Sequence, residues 1–310
     1  MAGRPPIFIA GPTAAGKSAL ALALAERCGG EIISVDSMQV YRGLDLGTAK
    51  PTAAERRRVP HHLLDVAALN EAFDAAKFVQ LATVAVAEIQ ARGAVPIFCG
   101  GTGLYFKAYL AGLGEAPPAD AALRQELEAT PLPALLQELQ AGDPATFARI
   151  DQRNPRRVVR AVEVLRLTGR PFSEQRARWP TPDPAATPPD GRCFGIGTTP
   201  EILRRNLETR VDDMFARGLV EETRQLLAQG LEQNRAAMQA IGYRQVVEHL
   251  QSVRNLTDTV QLVKQKTWQY ARRQQTWFRG QFPQLQWLAL DELGPARALE
   301  TMAAACRPET

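Results

Sequence analysis

The octapeptide Gly11-Pro12-Thr13-Ala14-Ala15-Gly16-Lys17-Ser18 follows the apolar run Pro6–Ala10 and leads into a run of helix formers, Ala19–Glu26. It has the form G-x-x-x-x-G-K-[ST] in the order strand, loop, helix, which is the setting in which this pattern cradles phosphate. Gly11 and Gly16 permit a turn whose successive backbone N–H groups converge on one anion. The helix N-terminus adds its partial positive charge at the same point. In such a loop Lys17 reaches a terminal phosphate and the Ser18 hydroxyl ligates Mg²⁺. A glycine-rich turn with no ligand would leave Lys17 without a purpose. The chain is read as a binder of a phosphorylated ligand through residues 11–18.

Five apolar runs read as buried parallel strands: 6–10, 32–35, 63–66, 95–99 and 194–197, with 287–290 a late edge strand. Helical patterns separate them, notably 73–91. That alternation predicts an α/β fold, a P-loop NTPase-like parallel sheet flanked by helices. The rhythm breaks after Gly114. Between the proline pair 117–118 and the proline-rich stretch 180–190 only helical patterns occur, at 120–129, 132–141, 144–150 and 155–168. We expect a P-loop core from 1–116 with 193–310, and an all-helical insertion domain over 117–192.

The 310 residues carry a formal net charge of only +4, unevenly spread. Nine arginines lie between Arg149 and Arg178, against Asp151, Glu163 and Glu174. No acid occurs between Thr259 and Leu290, where Lys264, Lys266, Arg272, Arg273 and Arg279 fall. Two basic segments point to a large polyanionic partner. No apolar run reaches the length of a membrane span, and no signal peptide is read, so a cytoplasmic protein is expected. Cys28, Cys99, Cys193 and Cys306 form no C-x-x-C pair, and His61, His62 and His249 are the only histidines. A Cys/His zinc site is therefore not expected, and the cysteines read as reduced, mostly buried thiols.

Asp36 ends the strand that starts at Ile32, so it belongs at the carboxyl rim beside the phosphate loop. Position alone leaves it three roles: general base, Mg²⁺ partner or helix N-cap. The turn Gly100-Gly101-Thr102-Gly103 after the strand 95–99 brings Thr102 to the same rim, or is a plain strand-to-helix turn. No carboxylate ends that strand, which weakens an ATPase reading and leaves Asp65 as the other candidate acid. The segment Trp268–Arg279 interleaves aromatics with guanidinium groups, as a surface stacking on bases does. A helix could equally bury the aromatics and solvate the arginines. Arg210, read alone, is a surface arginine spaced to pair with Asp213.

Taken in order, these motifs resemble the tRNA dimethylallyltransferases in their shorter bacterial form. The matching pieces are residues 11–18, Asp36–Tyr41, Gly47–Pro51, His61–Asp65, Gly100–Tyr105, Asn154–Arg157 with Arg160–Val164, Ala240–Gln245 and Arg272–Arg279. The likeness implies that the loop holds the diphosphate of dimethylallyl diphosphate. It also implies that Asp36 is the general base for the N6 amine of an adenosine beside the anticodon. Thr102 and Arg210 would bind the diphosphate or assist at the reacting centre, with Mg²⁺ on the leaving group. The residues implied to meet the tRNA anticodon stem-loop are Asp36, Ser37, Met38, Gln39, Thr102, Arg124, Arg160, Ala161, Val162, Glu163 and Val164. Ala240, Ile241, Gly242, Tyr243, Arg244, Gln245, Arg272, Arg273, Gln274, Gln275, Thr276, Trp277, Phe278 and Arg279 complete that set. A monomer is expected. The rival readings are a prenyl transferase acting on free adenine nucleotide, a nucleoside or nucleotide kinase, and a non-enzymatic RNA-binding protein.

Overall fold

The computed structural model describes residues 3–177, 179 and 192–306. The described strands are β1 (Ile7–Ala10), β2 (Gly30–Val35), β3 (His61–His62), β4 (Val95–Gly100), β5 (Cys193–Gly197) and β6 (Gln286–Ala289). They form one sheet in the order β3-β2-β4-β1-β5-β6, every pair parallel. All residues of β1, β2 and β5 are buried, as continuous apolar runs in a sheet covered on both faces require.

Register sets up the functional rim. Ala10 pairs with Gly100, and Gly100 pairs with Val35. The residues that follow, Gly11, Gly101 and Asp36, therefore leave the sheet side by side. Gly100 must be glycine, because a Cβ there would sit 2.1 Å from the Val35 carbonyl oxygen.

One expected strand is corrected. The apolar run 63–66 is not a strand; the pairing residues are His61 and His62, opposite Ile32 and Ile33. Leu63 (φ +61°) and Asp65 (φ +58°) adopt left-handed backbone, which no extended strand tolerates. The last strand also ends one residue early, with Leu290 opening the short helix Leu290–Leu293.

The chain divides into two compact units, residues 1–106 with 182–310, and residues 107–181. The first division falls within the helix Gly103–Ala111 and not at the proline pair 117–118, so no break in composition marks it. The smaller unit contains the helices Ala121–Ala129, Leu132–Gly142, Pro144–Phe147, Pro155–Thr168 and Phe172–Gln175. Its core is built from Leu127, Leu135, Leu139, Val158, Val159, Ala161 and Val162. The longest of these helices starts at an Asn154 cap with Pro155 in the first turn and stops at Gly169 in left-handed conformation. The proline-rich stretch 180–190 lies outside the described residues.

Candidate active site

The phosphate loop has the backbone its sequence demands. Gly11 (φ +144°) lies against the next strand, and a Cβ there would meet the Ile196 carbonyl oxygen at 2.4 Å. Gly16 (φ +91°) caps the helix Lys17–Cys28. Lys17 is buried, and its ammonium donates to Pro12 O at 2.6 Å. Burial lowers its pKa to about 8, with nearby Arg210 adding to the fall. Ser18 is exposed in the first turn of the helix.

Arg210 is not the surface arginine that its spacing suggested. It lies on the helix Pro200–Ala216, and its Nη1 donates to Thr13 Oγ1 at 3.2 Å. Asp213 pairs with Arg217 instead. Burial pushes the Arg210 guanidinium below its usual value. Asn206, one helical turn before it, donates to Ala14 O at 3.4 Å. Sequence reasoning missed Asn206, although its i,i+4 spacing from Arg210 puts both side chains on one helix face.

Asp36 caps a turn and not a helix. Its Oδ1 accepts from the amides of Met38 (2.8 Å) and Gln39 (3.1 Å). No described protein group donates to its Oδ2. Burial raises its pKa, against the pull of the two amides and of the Lys17 and Lys50 charges. Thr102 supports the same turn: its Oγ1 accepts from Ser37 N at 3.1 Å, while its own N–H donates to Val35 O at 3.1 Å.

The second glycine turn is more than a strand-to-helix turn, because Gln274 ties it to the phosphate loop. The Gln274 side chain accepts from Thr13 N at 2.9 Å and donates to Gly101 O at 2.9 Å. A Cβ on Gly101 would sit 2.1 Å from Gln274 Nε2. Gln274 is buried and forms a bridge inside the rim.

The segment 39–50 is held in place from several sides. Gln39 accepts from Ser34 Oγ (2.8 Å) and donates to Thr48 O (3.0 Å). Tyr243 accepts from Gly47 N (3.1 Å) and donates to Glu222 (2.5 Å). Lys50 binds Tyr41 O (2.6 Å), Asp45 (2.8 Å) and Asp65 (2.5 Å). Asp65 also takes Arg56 at 2.7 Å. Burial pushes the Asp65 carboxyl up, but these two cations outweigh it and hold the group below the usual carboxylate range. Asp65 is thereby occupied as a scaffold, which leaves Asp36 as the available acid at the rim.

These elements enclose a cavity of about 620 Å³ lined by Thr13, Lys17, Ser18, Asp36, Arg210 and Gln274, with Met38, Ile241, Tyr270 and Arg273 among its other walls. Cys99 lies on its floor, a thiol that burial pushes up to about 11. Among the described residues no group of three or more His, Cys, Asp or Glu side chains is placed to hold a metal. A divalent cation here would take oxygens of a phosphorylated ligand, with the Ser18 hydroxyl, as Mg²⁺ sites on phosphates do.

The expected RNA-contact residues separate into surface and core. Arg272, Arg273, Thr276 and Arg279 are exposed on the helix Leu256–Gln281, and Gln275 is half-buried. Trp277 packs on Gly103, and Phe278 meets Phe106 at 5.8 Å between ring centroids. Phe278 is buried in the core, whereas Trp277 is half-buried. Arg244 is exposed beside Glu248 at 3.2 Å, while Ala240, Gly242, Tyr243 and Gln245 are buried and only Ile241 stays half-open.

In the smaller unit Ala161, Val162, Glu163 and Val164 have no exposed surface. Glu163 accepts from Arg124 (2.5 Å), Arg160 (2.6 Å) and Asp120 N (3.1 Å). Residues 161–164 pack the unit, and Glu163 neutralises the half-buried Arg124 and Arg160. Arg149, Arg153, Arg156 and Arg157 are exposed, with no ion pair among the described residues.

Comparison with known proteins places this geometry. The profile of the IPP transferase family matches residues 39–281. The tRNA dimethylallyltransferase of Geobacter metallireducens is 48% identical over 280 residues, covering 88% of this chain and 89% of the relative. That of Pelotomaculum thermopropionicum is 40% identical over 306 residues, covering 97% and 96%. Among solved structures, the tRNA isopentenylpyrophosphate transferase of Bacillus halodurans superposes with a TM-score of 0.68 at 36% identity, covering 98% and 97% of the two chains. A eukaryotic dimethylallyltransferase acting on tRNA gives 0.76 at 28% identity, covering 98% of this chain and 80% of that one.

Proposed function

The chain belongs to the IPP transferase family, and from that premise we propose that it is a tRNA dimethylallyltransferase. It moves the dimethylallyl group of dimethylallyl diphosphate onto the N6 amine of the adenosine on the 3′ side of the anticodon, in tRNAs that read codons beginning with U. Diphosphate is released. The observation that carries this reading is one cavity faced by a free carboxylate oxygen of Asp36 and by the cations Lys17 and Arg210.

The amides of residues 11–18, Lys17 and Arg210 bind the diphosphate and stabilise the charge that grows on it as the allylic C–O bond breaks. The C–N bond forms from the adenine amine, a poor nucleophile because its lone pair is delocalised into the ring. Asp36 Oδ2 accepts the amine proton. Burial raises its proton affinity, which suits that task. Thr102 holds the Ser37 amide and so positions the Asp36 turn. Mg²⁺ fits the donor set of Ser18 and diphosphate oxygens, and when bound it neutralises the leaving group.

Exposed arginines at 149, 153, 156, 157, 272, 273 and 279 supply contacts to RNA phosphates. The adenosine enters the cavity unstacked from its loop, beside Tyr270 and Ile241. The proposed setting is the cytoplasm and the active species a monomer, to be checked by sedimentation with and without tRNA.

The test is transfer of label from radiolabelled dimethylallyl diphosphate with Mg²⁺, offering unmodified tRNA, AMP and ATP in parallel. Label in tRNA alone is the expected result. Label in the nucleotides would reassign the chain to free-nucleotide prenylation, and RNA binding without transfer would remove the enzymatic reading.

A further inference from the structure

Cys28 is the last residue of the phosphate-loop helix, and Cys306 follows the C-terminal helix Pro295–Ala304 that packs on it. A single guanidinium ties their backbones together: Arg4 donates from Nη1 to Cys28 O (2.7 Å) and from Nη2 to Cys306 O (2.9 Å). The two thiols neighbour each other closely enough to perturb one another's titration, and the Cys306 S–H donates to Met302 O at 3.9 Å. Both are half-buried and pack on the same apolar cluster, whereas Cys99 and Cys193 are buried. The transfer chemistry uses neither Cys28 nor Cys306.

We propose that Cys28 and Cys306 form a dithiol that a hydroperoxide converts to an intramolecular disulfide, fastening the C-terminal helix to the phosphate-loop helix. The Cys28 sulfur attacks one peroxide oxygen and the O–O bond breaks. Cys28 becomes a sulfenic acid, and the departing oxygen takes the thiol proton and leaves as water or an alcohol. The Cys306 sulfur then attacks the Cys28 sulfur; the S–S bond forms, the S–OH bond breaks, and hydroxide leaves as water with the Cys306 proton. The two thiols lose two electrons and the peroxide gains them.

The order of attack follows from the surroundings. The neighbouring Cys306 thiol holds the Cys28 thiol below its usual value against the opposing effect of burial, and Arg4 adds to the fall. Cys306, raised by the neighbouring thiol and by burial, donates its S–H to Met302 O and so keeps its proton. An accessible, more acidic thiol beside a resolving cysteine is the arrangement that oxidises reversibly to a disulfide. Cys99, pushed up to about 11 by burial, has the opposite character.

The experiment treats the full chain with hydrogen peroxide, blocks remaining thiols with an alkylating reagent, and maps the peptides without reductant. The expected product has lost two hydrogens in mass, contains a Cys28–Cys306 crosslink and reverts with dithiothreitol. Its thermal midpoint lies above that of the reduced chain, because the crosslink closes a loop through most of the sequence. In Cys306→Ser, oxidation stops at a sulfenic acid on Cys28 that a dimedone-type probe labels; in Cys28→Ser that label is absent. Oxygen addition to either sulfur with no crosslink, or a disulfide between two chains, would overturn the proposal. Sulfenate on Cys306 in place of Cys28 would overturn the order of attack.

Discussion

The carboxyl rim of the sheet and the arginine-rich segments are both charged, yet they are built by different means. At the rim, main-chain hydrogen bonds fix the reactive groups: two amides hold Asp36, Thr102 holds the next residue, and Gln274 joins the two loops. In the arginine-rich segments, side chains either face solvent, as Arg153 and Arg272 do, or pair with a buried acid, as Arg160 does with Glu163. Backbone geometry tolerates few sequences, so the rim announces itself in a short motif. A solvated arginine and a structural one share the same letter.

That contrast predicts unequal responses to substitution. Lys17→Ala, which removes a charge the rim positions over the diphosphate site, should lower kcat/KM for dimethylallyl diphosphate about 10²–10³-fold and leave tRNA affinity within about two-fold. A comparable loss of tRNA affinity would merge the two regions into one site. The free enzyme should also lose activity at both ends of the pH scale. Because burial lowers Lys17 to about 8, its charge disappears as pH rises through that value, and kcat/KM for the diphosphate falls. Because burial raises Asp36, its carboxylate protonates at a higher pH than an ordinary aspartate, and an acid limb appears there. A pH profile flat to pH 10 would show that Lys17 carries no binding charge.

Smaller effects sharpen the same division. Gln274→Leu removes both bridging hydrogen bonds and leaves the Thr13 amide unpaired, at a cost of about 1–3 kcal/mol. We expect KM for the diphosphate to rise about tenfold, with tRNA affinity retained and partial rescue by Gln274→Asn absent, since the shorter side chain spans neither bond. Reduced tRNA affinity with unchanged KM would return Gln274 to the RNA surface. Last, Arg153→Ala should weaken tRNA binding a few-fold and flatten its salt dependence by about one counterion, with no change in melting temperature. Glu163→Ala should do the reverse, lowering the melting temperature of the smaller unit by calorimetry because two half-buried arginines lose their acceptor.

The sequence reading reached the sheet, the helical insertion, the phosphate loop and Asp36 because each rests on a local pattern: an apolar run, a helical period or a glycine at a forced turn. It failed where the decisive partner is distant in the chain. Nothing near Arg210 reveals Thr13, and nothing near Gln274 reveals Gly101. Apolar character alone made 63–66 a strand, although the left-handed backbone of Leu63 and Asp65 turns that segment toward Lys50 and Arg56. Composition placed Trp277 and Phe278 with the arginines around them, while helical phase buries Phe278, half-buries Trp277 and leaves Arg272, Arg273 and Arg279 exposed.

The central claim is that Asp36 accepts the proton of an adenosine held in the same cavity as the diphosphate. Single-turnover transfer by Asp36→Asn, with tRNA affinity measured on the same preparation, tests it most directly. The account predicts a rate lower by about 10²-fold or more, as loss of a general base entails, with binding within a few-fold of the unsubstituted chain. Near-normal turnover in that variant would contradict it.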